Sequence, residues 1–149
     1  MTVADSFKSK TVAVFLAIAT LVSCAAENEN ISTDPKLAKA LTEEFLAGKT
    51  RLKCGISCSG SWGTIKAKQR QFYNMELWGQ LAEITMRNGH KVDLNYYYLG
   101  RSAEGLGFNN AAKVYYKNAL SVNYGCAEFF NNCDGFDVPS MTLKRLKKL

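Results

Sequence analysis

The chain has 149 residues, of which 47% are hydrophobic and 21% charged, with a formal net charge of +6. This length fits one domain with a modest core. The positive charge suits contact with anionic envelope material, but it is too small to identify a partner. A nucleic-acid-binding role would need a basic stripe within a recognisable module, which the sequence lacks. We therefore expect no nucleic-acid partner.

The first 24 residues have the pattern of an export signal. Lys8 and Lys10 precede an uncharged apolar run over residues 11–23, which is too short to span a bilayer as a stable helix. The run ends in Leu-Val-Ser-Cys at residues 21–24, with Leu three positions before the cysteine and a small residue directly before it. These residues resemble the lipobox of a bacterial lipoprotein signal peptide.

The lipobox resemblance implies that residues 1–23 are a removable signal peptide and that Cys24 carries fatty acyl chains such as palmitate. Several acyl chains on one residue give firm membrane anchoring. Cleavage would leave 126 residues with a formal charge of +5. Because Ala25 follows the cysteine where sorting rules would place Asp for inner-membrane retention, the resemblance implies anchoring in the outer membrane, facing the periplasm. Residues 24–33 are expected to form a flexible tether.

Four further cysteines, an even number, remain in the mature chain: Cys54, Cys58, Cys126 and Cys133. In an oxidising compartment this predicts two disulfides. Three pairings are possible, and the two sequence-local pairs are favoured, although crossed pairs would close longer loops and stabilise more by chain entropy. A four-thiolate zinc site is the alternative; its spacing would be unusual, and oxidising conditions disfavour free thiolates.

The region 34–149 is predicted to be an all-α domain. Asp34-Pro35 starts a helix whose apolar face includes Leu37, Leu41 and Phe45, and Gly48 ends it. Residues 49–63 are rich in Gly, Ser and Cys and predict a disulfide-pinned loop. The helical pattern resumes near Thr64, with an interruption near residues 72–74, and continues to Arg87, before a C-cap at Gly89.

Residues 93–126 resemble one tetratricopeptide repeat, a 34-residue helical hairpin. With Asp93 as position 1, the pattern is matched by Tyr96, Leu99, Gly100, Ala103, Ala112, Tyr116 and Ala119. The departures are the small Ala103 and Tyr124 where Pro is common. Gly100 and Ala112 are expected at a close helix crossing, Asp93 at the helix N-cap, and residues 107–110 at the turn. One period earlier, from Ser59, the register soon fails. A lone repeat needs a packed neighbour, which the helix predicted over 75–87 and the Pro35 helix together would supply.

The repeat resemblance also implies a partner-binding groove. In this family the first helix of a repeat lines a concave surface through positions that fall here on Leu94, Tyr97, Arg101 and Glu104, and Arg70 extends the patch. Exposed aromatic and arginine side chains are enriched at interface hot spots. A groove this short predicts a peptide segment or a helix as the ligand.

Catalytic chemistry finds little support in this sequence. Its one histidine, His90, lies in a Gly-His-Lys turn signal and is expected to be an exposed loop residue without a nucleophile motif beside it. No spaced carboxylate pair and no phosphate-cradling glycine loop is evident. We expect no enzyme activity, no cofactor and no metal.

The C-terminal residues 141–149 place Leu143, Leu146 and Leu149 among Lys and Arg residues. A frayed end that packs one or two Leu on the domain is favoured over a basic amphipathic helix.

Taken together, the sequence predicts a short tetratricopeptide-like array of helical hairpins with a disulfide-stapled loop. The expected role is a protein-binding or assembly module of the cell envelope, in secretion, pilus or outer-membrane machinery. The alternative is a periplasmic inhibitor or immunity-type protein that plugs a hydrolase with its Cys54–Gly63 loop.

Overall fold

A computed structural model describes residues 35–128 and 133–149. The signal peptide predicted over residues 1–23, the lipidation site at Cys24 and the tether over 24–33 lie outside the described residues. The described part is mostly helical and contains no strand. Its six α-helices are α1 (Pro35–Leu46), α2 (Ser59–Asn74), α3 (Trp78–Asn88), α4 (Asp93–Gly105), α5 (Asn109–Ser121) and α6 (Val138–Leu146).

Each helix from α2 onward packs mainly on its sequence neighbours. Contacts join α2 to α3, α3 to α4, α4 to α5, and α5 to α6, and α6 also reaches α4. The closest pairing is between α4 and α5, where Gly100 offers no side chain and the ring of Tyr116 fills the space. Gly100 therefore does mark a close helix crossing, and the ring of Tyr116 lies directly against it.

The apolar core centres on α4, which is buried over eleven of its thirteen residues. Leu81 and Ala82 of α3 and Tyr115 of α5 also belong to it. Helix α1 joins the core through its C-terminal end, where Phe45 stacks on Tyr115 with ring centres 5.6 Å apart, and the Tyr115 hydroxyl donates to the Phe45 carbonyl. The chain then leaves α1 through Gly48, whose φ of +69° lies in the region that glycine adopts without strain.

Most predicted helix boundaries agree with the structure. The Pro35 helix and the left-handed C-cap at Gly89 are observed, whereas the interruption predicted near residues 72–74 lies three residues later, between the end of α2 at Asn74 and the start of α3 at Trp78. Helix α2 begins at Ser59, five residues before the predicted start, because a short 3₁₀ turn over Ile56–Cys58 leads directly into it. The loop predicted to run to residue 63 therefore ends earlier.

Two end-of-helix predictions are wrong. Asp93 is the first residue of α4 and not its N-cap, which is Val92. The C-terminal residues are also better ordered than a frayed end: Val138–Leu146 forms α6, capped by Asp137, whose side chain accepts from the Ser140 N–H. The prediction that one or two of the three leucines pack on the domain does agree with the structure, since Leu146 and Leu149 pack on the core while Leu143 is half exposed.

Candidate binding surface

The residues predicted to line an exposed groove lie mostly in the interior. Leu94, Tyr97 and Arg101 have exposed fractions of 0%, 1% and 9%. Glu104 and Arg70 are half-buried. The prediction that Tyr97 and Arg101 are exposed is therefore wrong. The physical reason is that α4 has neighbours on all sides: α3, α5 and α6 pack on it, and an aromatic side chain from the C-terminal segment covers Tyr97.

That covering side chain is Phe136, which follows the second disulfide. Its ring centre lies 5.2 Å from that of Tyr73, 6.0 Å from that of Tyr97 and 6.2 Å from that of Tyr98. The guanidinium carbon of Arg70 lies 3.9 Å from the ring centre, in cation–π geometry. Three of the contacts are edge-on, the arrangement that aromatic quadrupoles favour.

Two ion pairs flank this aromatic contact. Lys66 Nζ of α2 lies 2.8 Å from Asp134 Oδ1, and Arg145 Nη1 of α6 lies 3.2 Å from Glu104 Oε1 of α4. The C-terminal segment over 134–145 thus contacts three of the predicted binding residues, Arg70, Tyr97 and Glu104. Local sequence patterns do not point to Lys66, Asp134 or Phe136, and the one signal near them is the Asp-Gly turn after Cys133.

Glu104 is the centre of a polar cluster at the end of α4. Its carboxylate accepts a hydrogen bond of 2.5 Å from the Tyr116 hydroxyl and lies 2.7 Å from Arg101 Nη1. Burial alone would raise the pKa of Glu104, but the hydrogen bonds from Tyr116 and Arg101 and the charges of Arg101 and Arg145 outweigh it and lower the pKa. Arg101 is also held over the ring of Trp78, 4.9 Å from its centre. This arginine links α4 to α3 through that contact and is almost entirely buried.

A second buried polar network holds the first disulfide loop. Trp62 Nε1 donates to Gln69 Oε1 and to Asn95 Oδ1, each at 3.1 Å, and Gln69 Nε2 donates to Thr85 Oγ1 at 2.9 Å. The Asn95 side chain in turn donates to the His90 carbonyl. Three helices, α2, α3 and α4, are thereby joined through hydrogen bonds whose groups are screened from water.

His90 is buried, with an exposed fraction of 1%, so the prediction of an exposed loop histidine is wrong. It forms an isolated parallel bridge with Cys54, and its Nδ1 lies 2.9 Å from the Gly55 carbonyl oxygen. Its ring also lies against Trp62, 5.1 Å between centres. The bridge to the Cys54 segment buries the His90 side chain, and the local Gly-His-Lys pattern contains no signal for a contact with a segment 36 residues away.

Both predicted disulfides are sequence-local. Cys54 pairs with Cys58, and Cys126 pairs with Cys133. The first disulfide closes a small loop that carries Ile56 at its tip, 72% exposed. The second begins at Cys126, whose backbone N–H donates to Asp93 Oδ1 at 2.7 Å. Burial raises the pKa of Asp93, although hydrogen bonds from the Cys126 and Leu94 amides act in the opposite direction.

An open cleft of about 450 Å³ lies between α1 and α3. Its apolar lining comes from α1, α3 and the residue after α4: Phe45, Leu46, Ala82, Met86 and Leu106. Glu83 and Arg87, which pair with each other at 3.0 Å, lie at its rim. The cleft thus combines apolar side chains with a charged pair, a mixture that also occurs in partner-binding sites.

Within residues 35–128 and 133–149, no helix has the length and apolar character needed to cross a membrane. The same residues contain no group of three or more His, Cys, Asp or Glu side chains that could hold a metal ion. Comparisons with models of known protein families, with curated proteins and with solved structures found no match.

Proposed function

We propose that this chain is an exported lipoprotein, anchored through Cys24 to the outer membrane and facing the periplasm, whose helical domain binds a protein partner of the cell envelope. Secretion, pilus and outer-membrane assembly machinery are the proposed settings. The observation that carries the proposal is that all four cysteines after Cys24 are paired in disulfides. Disulfides persist in oxidising compartments, which agrees with the export pattern of residues 8–24.

The packing of α4 and α5 supports a tetratricopeptide-like hairpin as the binding scaffold. All seven positions that match the repeat pattern are buried: Tyr96, Leu99, Gly100, Ala103, Ala112, Tyr116 and Ala119. The neighbour-on-neighbour order of α2 to α6 is also what a repeat array requires. A helical array of this kind offers clefts and helix faces for a peptide or a helix of a partner.

Lipid labelling tests the anchoring. Cells that express the wild type or Cys24→Ser are supplied with radiolabelled palmitate, and the membrane fraction is assayed. We expect label in the wild type alone, and Ala25→Ser serves as a matched control that keeps the cysteine. Equal labelling of all three proteins, or of none, would remove the anchor from the proposal. Co-purification from native membranes then identifies the partner.

A second function is favoured by one observation, the exposure of Ile56 at the tip of the Cys54–Cys58 loop. A large apolar side chain on a loop held by a disulfide and by the His90 bridge is a preorganised anchor. Such a loop suits an inhibitor or immunity-type protein that plugs a hydrolase. Ile56→Ser should abolish capture of a soluble hydrolase if this function holds, whereas Met75→Ser, at another exposed apolar residue, should not.

A further inference from the structure

The surface that receives Phe136 differs from an ordinary core contact. We call this surface the cradle and define it by five side chains: Lys66, Arg70, Tyr73, Tyr97 and Tyr98. Two of its members are cations, and they lie one turn apart on the same face of α2. What they receive is one carboxylate and one aromatic ring, from Asp134 and Phe136. Recognition through a single acid and a single aromatic anchor is typical of a peptide bound in a site.

The backbone of the bound segment also has the form of a presented ligand. Asp134 and Gly135 both adopt a left-handed conformation, with φ of +53° and +77°. Two such residues in succession make a tight turn, which places the side chains before and after Gly135 against the same surface. The Cys126–Cys133 disulfide ends one residue before this turn and fixes where the segment starts.

The segment brings fewer negative charges than the cradle has positive ones. The cradle has two cations, and the segment offers one carboxylate to them, which pairs with Lys66. The Nη1 atom of Arg70 is buried and makes no hydrogen bond of normal geometry, and the nearby Tyr98 hydroxyl is the one neutral acceptor that the cradle itself offers to this guanidinium. A buried donor without an acceptor is a cost that a better ligand would remove. A segment that brings an acceptor to Arg70 as well as to Lys66 would therefore bind more strongly than the chain's own segment.

We infer that the cradle is a receptor for a segment with an acidic residue two positions before an aromatic one, and that residues 134–136 occupy it in cis until such a segment of a partner protein displaces them. The inference rests on the proposed function, because it gives the partner's chemistry. A tethered segment has an effective concentration on the order of 1 mM. If the chain's own segment has a dissociation constant of about 0.1 mM for the open cradle, a partner segment would bind the closed chain about tenfold more weakly than the open one.

Binding of a peptide in trans tests this inference. The probe is a fluorescently labelled peptide with the sequence of residues 134–140, and its matched control carries Ala in place of Phe136. Fluorescence anisotropy is measured with the purified, oxidised wild type and with Phe136→Ala, whose fold is checked by circular dichroism. We expect the probe to bind Phe136→Ala about tenfold more tightly than the wild type. The control peptide should bind neither protein.

Two outcomes would overturn the inference. If the probe does not bind a folded Phe136→Ala protein, the contact is only structural packing. If it binds the wild type and the variant equally, it binds elsewhere. Should Phe136→Ala fail to fold, Asp134→Asn gives a smaller change in the same direction, because it loses the charge that pairs with Lys66 while the Phe136 ring stays in the cradle, and Asn tolerates a left-handed backbone. Since the peptide assay involves neither lipid nor membrane, its failure would leave the palmitate result, and hence the anchoring, intact.

Discussion

A Cβ atom on Gly100 would lie 2.4 Å from Cε1 of the Tyr116 ring. Real side-chain carbons do not approach that closely, so the helix crossing between α4 and α5 depends on glycine at this position. The hydroxyl of the same tyrosine reaches Glu104, one turn further along α4. A displaced ring would therefore disturb the packing and the polar cluster together.

We predict that Gly100→Ala destabilises the protein by about 1–3 kcal/mol through overpacking. The control is Gly79→Ala in α3, where no atom lies within 4 Å of the added carbon. There the substitution should stabilise by about 0.4–1 kcal/mol, because alanine favours a helix over the unfolded chain. Urea denaturation of both variants measures the difference. Equal effects at the two sites would contradict the proposed crossing.

Replacing Asp93 by Asn, which removes only the charge, should destabilise the protein less than replacing it by Ala, which removes the hydrogen-bond acceptor. Its Oδ1 accepts from the amides of Leu94 and Cys126, and burial raises the pKa of the carboxyl. Asp93→Asn keeps an acceptor and removes the charge, so its unfolding free energy at neutral pH should equal or exceed that of the wild type. Asp93→Ala leaves the Cys126 amide without its acceptor and should cost about 1–3 kcal/mol. Identical losses in thermal denaturation would show that these hydrogen bonds do not stabilise the fold.

The lowered pKa of Glu104 predicts that the folded protein loses stability in acid. Its pKa is lower in the fold than the value of 4.5 for an unperturbed carboxyl, so the native state binds fewer protons than the unfolded state near that pH. The stabilisation is fully present above the unfolded pKa and is lost as the pH falls through the folded pKa. Glu104→Gln lacks this titration. The difference in unfolding free energy between wild type and variant should therefore shrink from about pH 6 to about pH 3, and a constant difference would contradict the assignment.

The disulfides give a chemical prediction. Alkylation of the unreduced protein should modify none of the four cysteines, and peptide mapping should join Cys54 to Cys58 and Cys126 to Cys133. Replacing either pair by serine should cost about 2–3 kcal/mol, because each closes a short loop. Crossed peptides, or free thiols in protein made in an oxidising compartment, would contradict the structure.

The helices could be predicted from the sequence where local signals decide them. Pro35, Gly48 and Gly89 are start and stop residues whose effect depends only on their own backbone conformation, and the structure agrees with all three. The start of α2 was predicted too late because Gly60 and Gly63 weaken the helical signal. Tertiary packing of Trp62 within that first turn outweighs the low propensity of its neighbours.

The site could not be predicted from local patterns because its contacts join distant parts of the chain. Tyr97 is covered by Phe136, and His90 is buried by its bridge to Cys54. Neither relationship changes the periodicity near the residue concerned. A repeat pattern identifies which faces of α4 are available in an open array. It cannot indicate that the chain's own C-terminal segment covers one of those faces.

The disulfide connectivity has a consequence for biogenesis. The four cysteines after Cys24 pair in sequence order, Cys54 with Cys58 and Cys126 with Cys133, across sequence separations of 4 and 7 residues. If the chain is exported as proposed, with Cys24 taken up by acylation, an oxidase that joins the remaining cysteines in their order of emergence produces the native pairs directly. Maturation of this protein should therefore require a thiol oxidase but proceed at a normal rate in cells that lack a disulfide isomerase.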